Sequence, residues 1–188
     1  MITKRSLHFV IAFLVFFSML FAIGYYGIFT GFHDYDDEGY LLIVLKQFYN
    51  NGYLYSKSPG YYGPAYYLLE NLLFKVFHLP FSHDAGRIIT LAFWMATSGI
   101  ISIALWMQTS SILLSLSGLG LSFCFLESLR NEPLHPGSWI VLSLALSTLA
   151  LSLKLFQENK SRLSIFLGIT AATLMLMKIN IGALYSAA

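Results

Sequence analysis

The chain has 188 residues, 57% of them hydrophobic and 11% charged, with a formal net charge of +2 and a mean hydropathy of +0.68. Soluble domains carry about 25% charged residues, so a cytosolic enzyme, a disordered chain and a nucleic-acid binder are excluded. The residues read as an integral, multi-pass membrane protein. Its single cysteine, Cys124, sits in an apolar run and leaves no disulfide framework and no thiolate metal site.

Leu7 to Phe32 carries no formal charge over 26 residues, enough for one span of about 20. Its apolar core is longer than that of a signal peptide and no small-residue cleavage site follows, so it reads as an uncleaved signal anchor. Segment 30–86 is a long loop, and such loops are normally functional or structured. It holds six of the nine acids, which makes it the polar part of the molecule. Two amphipathic helices are expected in it. Tyr40, Leu41, Val44, Leu45 and Phe48 form a stripe at helical spacing over about 36–50, ended by Asn50-Asn51-Gly52. Pro64 opens the second, to about residue 78, with Tyr67, Leu68 and Phe74 suited to the membrane interface.

Ile88 to Leu126 is charge-free over 39 residues, room for two spans hinged at Gln108–Ser111. Trp139 to Leu153 and Leu163 to Tyr185 supply two more, the last interrupted by Lys178. About five membrane-spanning helices are therefore expected, near 7–29, 87–107, 111–127, 137–155 and 163–186. Lys4 and Arg5, and then Lys154, Lys160 and Arg162, fall on one side, which by the positive-inside rule is cytoplasmic. The N-terminus is then cytoplasmic, and loop 30–86 and the turn Glu127 to Ser138 lie outside.

The acids Asp36-Asp37-Glu38 are the strongest chemical feature. Adjacent carboxylates repel one another, which can raise one pKa and hold a base near working pH. A plainer role is also open: Asp34 or Asp36 caps the helix, and Asp37 and Glu38 favour its positive end. In the other outer loop, Pro133 and Pro136 pin Glu132 and His135 on the same membrane face, as a site or as a simple turn. Lys178 lies in the outer half of the last span. Intramembrane charge usually faces a polar cavity, and neighbouring Asn180 favours that over snorkelling to the interface. Arg87 is either an interface anchor or a phosphate contact. Eleven of the twelve tyrosines fall between Tyr25 and Tyr67. Interfacial preference accounts for Tyr25, Tyr26, Tyr66 and Tyr67; Tyr53, Tyr55, Tyr61 and Tyr62, beside Gly and Pro, suit sugar rings.

A first span followed by an outer loop with Asp-Glu at the start of a helix resembles the GT-C glycosyltransferases, which include the protein O-mannosyltransferases and aminoarabinose transferases. The runs that carry the resemblance are Asp36-Asp37-Glu38-Gly39-Tyr40, Tyr62-Gly63-Pro64-Ala65-Tyr66-Tyr67, Asp84-Ala85-Gly86-Arg87, Glu132-Pro133-Leu134-His135-Pro136 and Lys178-Ile179-Asn180-Ile181-Gly182. It implies a partial GT-C fold, all-α, in the inner membrane of a bacterium. It also implies a polyprenyl-phosphate sugar as donor and a glycan, lipid or protein hydroxyl as acceptor, with inversion on the extracytoplasmic side. Asp37 matches the family's Asp-Glu pair and is the implied base, with Asp36 and Glu38 as its neighbours or as ligands of a divalent metal in metal-dependent relatives. Arg87 and Lys178 would meet the phosphate, and Glu132, His135 and Tyr62 would line the site. The family's module has about seven spans or more, so this chain reads as the N-terminal part of a longer enzyme. The rival reading is a non-catalytic membrane protein, either a transporter fragment or a degenerate relative that binds lipid.

Overall fold

The structure, a computed structural model, describes residues 4–30, 38–52, 54 and 60–187, with the backbone alone for Glu38. Asp34, Asp36, Asp37, Tyr53, Tyr55 and the side chain of Glu38 lie outside the described residues. The described residues form nine helices and no strand: α1 (Lys4–Thr30), α2 (Glu38–Asn51), α3 (Pro64–Val76), α4 (His83–Thr109), α5 (Ile112–Glu127), α6 (Gly137–Ser152), α7 (Lys154–Gln157), α8 (Lys160–Met177) and α9 (Ile179–Ala187). Three of them, α1, α4 and α8, are long and apolar enough to cross a membrane. Two more, α5 and α6, are apolar but have 16 residues each.

Local chemistry sets these boundaries. Ser82 caps α4, its hydroxyl accepting from Ala85 N at 3.3 Å. Ser110 ends α4 in left-handed backbone (φ 51°), and Ser111 caps α5 by accepting from Leu114 N at 3.4 Å. The hinge between the two apolar helices is therefore a pair of serines. Asn159 caps α8 by accepting from Arg162 N at 3.1 Å. Leu153 is extended (ψ 127°) and stops α6, so this helix is shorter than the 137–155 expected of it.

The last expected span, 163–186, is not one helix. It ends at Met177, Lys178 is extended (φ −155°, ψ 101°), and α9 folds back against α8. Two glycines make this break. A Cβ at Gly182 would overlap the backbone of Met175, so a residue without one permits the close return. The carbonyl of Met177, left without a partner by the end of the helix, accepts from Gly63 N at 2.9 Å. Lys178 thus marks an exposed corner between two helices rather than the interior of one.

The central helix is α4, which packs against α1, α5 and α6. Leu91, Trp94 and Met95 meet Leu20 of α1 and Leu119 and Phe123 of α5. In the α4–α5 contact Ser102 Oγ donates to Ser115 O at 2.8 Å, the short-side-chain bonding that membrane helices use. The second core joins α2 and α3 to the helix ends: Leu41, Leu45, Tyr66, Tyr67 and Phe74 are buried with Phe93, Leu134 and Met177. Each large side chain buried this way stabilises the fold by about 1.5–3 kcal/mol. The pair α2–α3 is consequently a packed cap at one end of the apolar helices.

Candidate functional site

The site is organised by the turn between α5 and α6. Successive turns carry the chain, with Glu132 N donating to Leu129 O and His135 N to Glu132 O, both at 3.2 Å. Leu134 is left-handed (φ 64°), a conformation that costs a non-glycine residue about 1–3 kcal/mol. Two buried bonds hold it there. Leu134 N donates to Thr90 Oγ1 at 2.8 Å, and Leu134 O accepts from Tyr66 OH at 2.7 Å. Helices α3 and α4 therefore grip one residue, Leu134, through its N–H and its carbonyl, and so hold the peptide groups on either side of it.

His135 is oriented as a result. Its Nδ1 accepts from Gly137 N at 3.0 Å, which puts the proton of the neutral ring on Nε2, 3.6 Å from Glu132 Oε2. The ring of Tyr62 stands edge-on to the imidazole, centroids 5.4 Å apart and planes at 90°. Behind the turn lies a cleft of about 260 Å³ bordered by Trp94, Ser128, Asn131, Glu132, His135 and Ser138.

Of the sequence-predicted site residues, Tyr62, Glu132 and His135 come together directly. Lys178 follows Met177, whose carbonyl is bonded to Gly63, so the lysine backbone is brought next to the Tyr62 segment. At the start of α2, a Cβ on Gly39 would come 3.9 Å from His83 Cε1, and Tyr40 lies 5.4 Å from Tyr61, ring to ring. The first turn of α2 thus sits on the first turn of α4, and half-buried Arg87 lies one helical turn beyond His83. Asp36 and Asp37 precede α2 in the chain and are outside the described residues, as is the Glu38 side chain. Among the described residues no group of three His, Cys, Asp or Glu side chains could hold a metal ion.

One residue in this region escaped the sequence reading. Glu70 is 1% exposed, on the face of α3 that carries Tyr66, Tyr67 and Phe74. Its Oε1 accepts from Trp139 Nε1 at 2.9 Å, and its Oε2 has no hydrogen-bond partner among the described residues. Burial pushes the carboxyl up to about 8, with the Trp139 bond opposing. Tyr66 is raised well above its usual value, first by burial and then by the negative charge of Glu70. The available signal was phase: Glu70 lies four residues from both Tyr66 and Phe74, in register with the apolar stripe.

The turn and its neighbours offer an oriented imidazole N–H, a carboxylate and phenol edges, with the backbone of Lys178 close by. Such a set can bind a polar, hydroxyl-rich or anionic headgroup against apolar helices. No known protein family, curated protein or solved structure matches the chain.

Proposed function

We propose that this is a five-span membrane glycosyltransferase of the GT-C kind, resident in a bacterial inner membrane with its N-terminus in the cytoplasm. It moves a sugar from a polyprenyl-phosphate donor to an acceptor hydroxyl on the outer face. The observation that carries the reading is convergence. Tyr62 contacts His135, Gly63 bonds Met177 beside Lys178, and Gly39 approaches His83, four residues before Arg87. Residues of three runs of the resemblance, with His83 and Met177 that adjoin the other two, thus gather at one end of the helices.

In this reaction the acceptor oxygen attacks the anomeric carbon, the base takes its proton, and the lipid phosphate leaves with the electrons of the broken C–O bond. Asp37 is the proposed base. Asp36 and Glu38 are its neighbours, or ligands where a divalent metal takes part. Arg87 and Lys178 would offset charge on the departing phosphate, and Tyr62, Glu132 and His135 would hold the sugar. A transfer assay on membranes containing the protein, with a polyprenyl-phosphate sugar as donor, tests the assignment. Asp37→Asn keeps shape and removes charge. It should slow transfer by about 10²–10⁴-fold, while the lost helix-end charge costs about 0.3–1 kcal/mol of stability. Normal transfer by Asp37→Asn, Asp36→Asn and Glu38→Gln alike would remove the base and the enzyme with it.

The rival reading, a non-catalytic lipid-binding or transport protein, draws support from the break at Lys178, since transporters build sites at discontinuous helices. It predicts lipid-phosphate binding without turnover, lost in Lys178→Ala.

A further inference from the structure

Where an amphipathic helix normally carries a leucine, α3 carries an acid. Glu70 lies on the buried face, with one oxygen bonded to Trp139 at the head of α6 and the other unpartnered among the described residues. We propose that Glu70 is a proton-operated latch: as a neutral acid it fastens α3 to α6, and on losing its proton it releases the turn 132–137.

Latch and turn form one unit. Tyr66 and Glu70 are one helical turn apart on the same face of α3. Tyr66 holds Leu134 O in the turn while Glu70 holds Trp139 just after it. A buried carboxylate with one neutral donor and no cation is strongly disfavoured. Water is reached by swinging this face of α3 outward, and that motion breaks both bonds together. The opposite face of α3 is exposed at Leu68 and Leu72 among the described residues.

The packed elements carry Tyr66 and Tyr67 on the buried face of α3, exposed Lys46 on α2, half-buried Arg87 on α4, His135 in the turn and exposed Lys178 after α8, while α6 carries no titratable group. The carboxyl responds to burial first and to the Trp139 bond second, with no charged neighbour among the causes, and stands at about 8. The latch does not depend on sugar transfer.

Two measurements on the protein in lipid nanodiscs, at about pH 6 and about pH 9.5, test it. Infrared difference spectra should show a carboxylic-acid C=O band that disappears at the higher pH and is absent in Glu70→Gln. Amide hydrogen exchange of residues 129–139, corrected for intrinsic rate, should quicken by about tenfold or more in the wild type and stay protected in Glu70→Gln. Equal protection at both pH values in the wild type, or the same loss in Glu70→Gln, would overturn the latch. If that variant does not fold, the wild type still decides. Band and protection must vanish with one midpoint, and an absent band at about pH 6 or two separate midpoints sinks the proposal.

Discussion

Replacing Gly63 by alanine probes the junction that brings Lys178 to the site. Gly63 N donates to Met177 O at 2.9 Å, and a Cβ at Gly63 would overlap the carbonyl of Leu176 and lie 3.1 Å from Met177 O. These neighbours are backbone atoms, so relief requires the chain itself to move. Overpacking of this kind costs about 1–3 kcal/mol, and the weakened hydrogen bond adds about 0.5–1.5 kcal/mol. A loss on the order of 2–4 kcal/mol corresponds to a midpoint lower by roughly 5–15 °C for a chain of this size. Gly168 supplies the opposite sign. A Cβ there meets nothing within 4 Å in the interior of α8, so alanine gains roughly 0.5–1 kcal/mol of helix propensity. Both variants would be followed in detergent by thermal unfolding and by hydrogen exchange of residues 60–66 and 174–180. Gly63→Ala should melt lower, with both segments exchanging faster together, whereas Gly168→Ala should melt at or above the wild type. A Gly63→Ala protein with unchanged midpoint and unchanged exchange in both segments would refute the close docking of α8 on this loop.

Tyr66→Phe leaves the buried Leu134 carbonyl without its donor and should cost about 1–3 kcal/mol in thermal unfolding; wild-type stability would mean the turn is held by other contacts. Glu70 makes stability depend on pH with a definite sign. The folded protein keeps this proton up to about pH 8 and the unfolded chain only up to its usual 4.5. Stability is therefore full below about 4.5 and falls as pH rises through about 8, by up to about 5 kcal/mol and less if the latch opens first. Glu70→Gln should flatten that slope, and an unchanged slope in unfolding measurements would assign it to another group. For topology, Tyr61→Cys in a Cys124→Ser background should react with an impermeant thiol reagent on intact cells, because residue 61 is 76% exposed and expected outside. Labelling that appears only after lysis would invert the orientation.

Much of the architecture is a matter of short-range chemistry, and that part was readable in the residues. Charge-free apolar runs make α1 and α4, since a helix satisfies its own backbone and buries in lipid what water would reject. Periodicity marked the stripe from Leu41 to Phe48 now buried against α3. Serine and asparagine at helix starts act within a single turn, so caps such as Ser111 and Asn159 need no distant partner.

Other features have no local cause. Hydropathy through 163–186, interrupted only at Lys178, reads as one span, yet α8 stops at Met177, where the carbonyl accepts at 2.9 Å from Gly63, more than a hundred positions earlier, and Gly182 packs on Met175. Glu70 reads as one more acid of an outer loop until Trp139, 69 residues on, donates to it and the packing of α3 removes it from water. His135 and Tyr62 meet because Tyr66 and Thr90 grip Leu134 from two helices, which no turn motif encodes. Sequence by itself determined which stretches are helical and apolar, because those properties are settled over a few residues. Tertiary structure alone decided which polar groups lose water and face one another, because that depends on how separate helix faces close together.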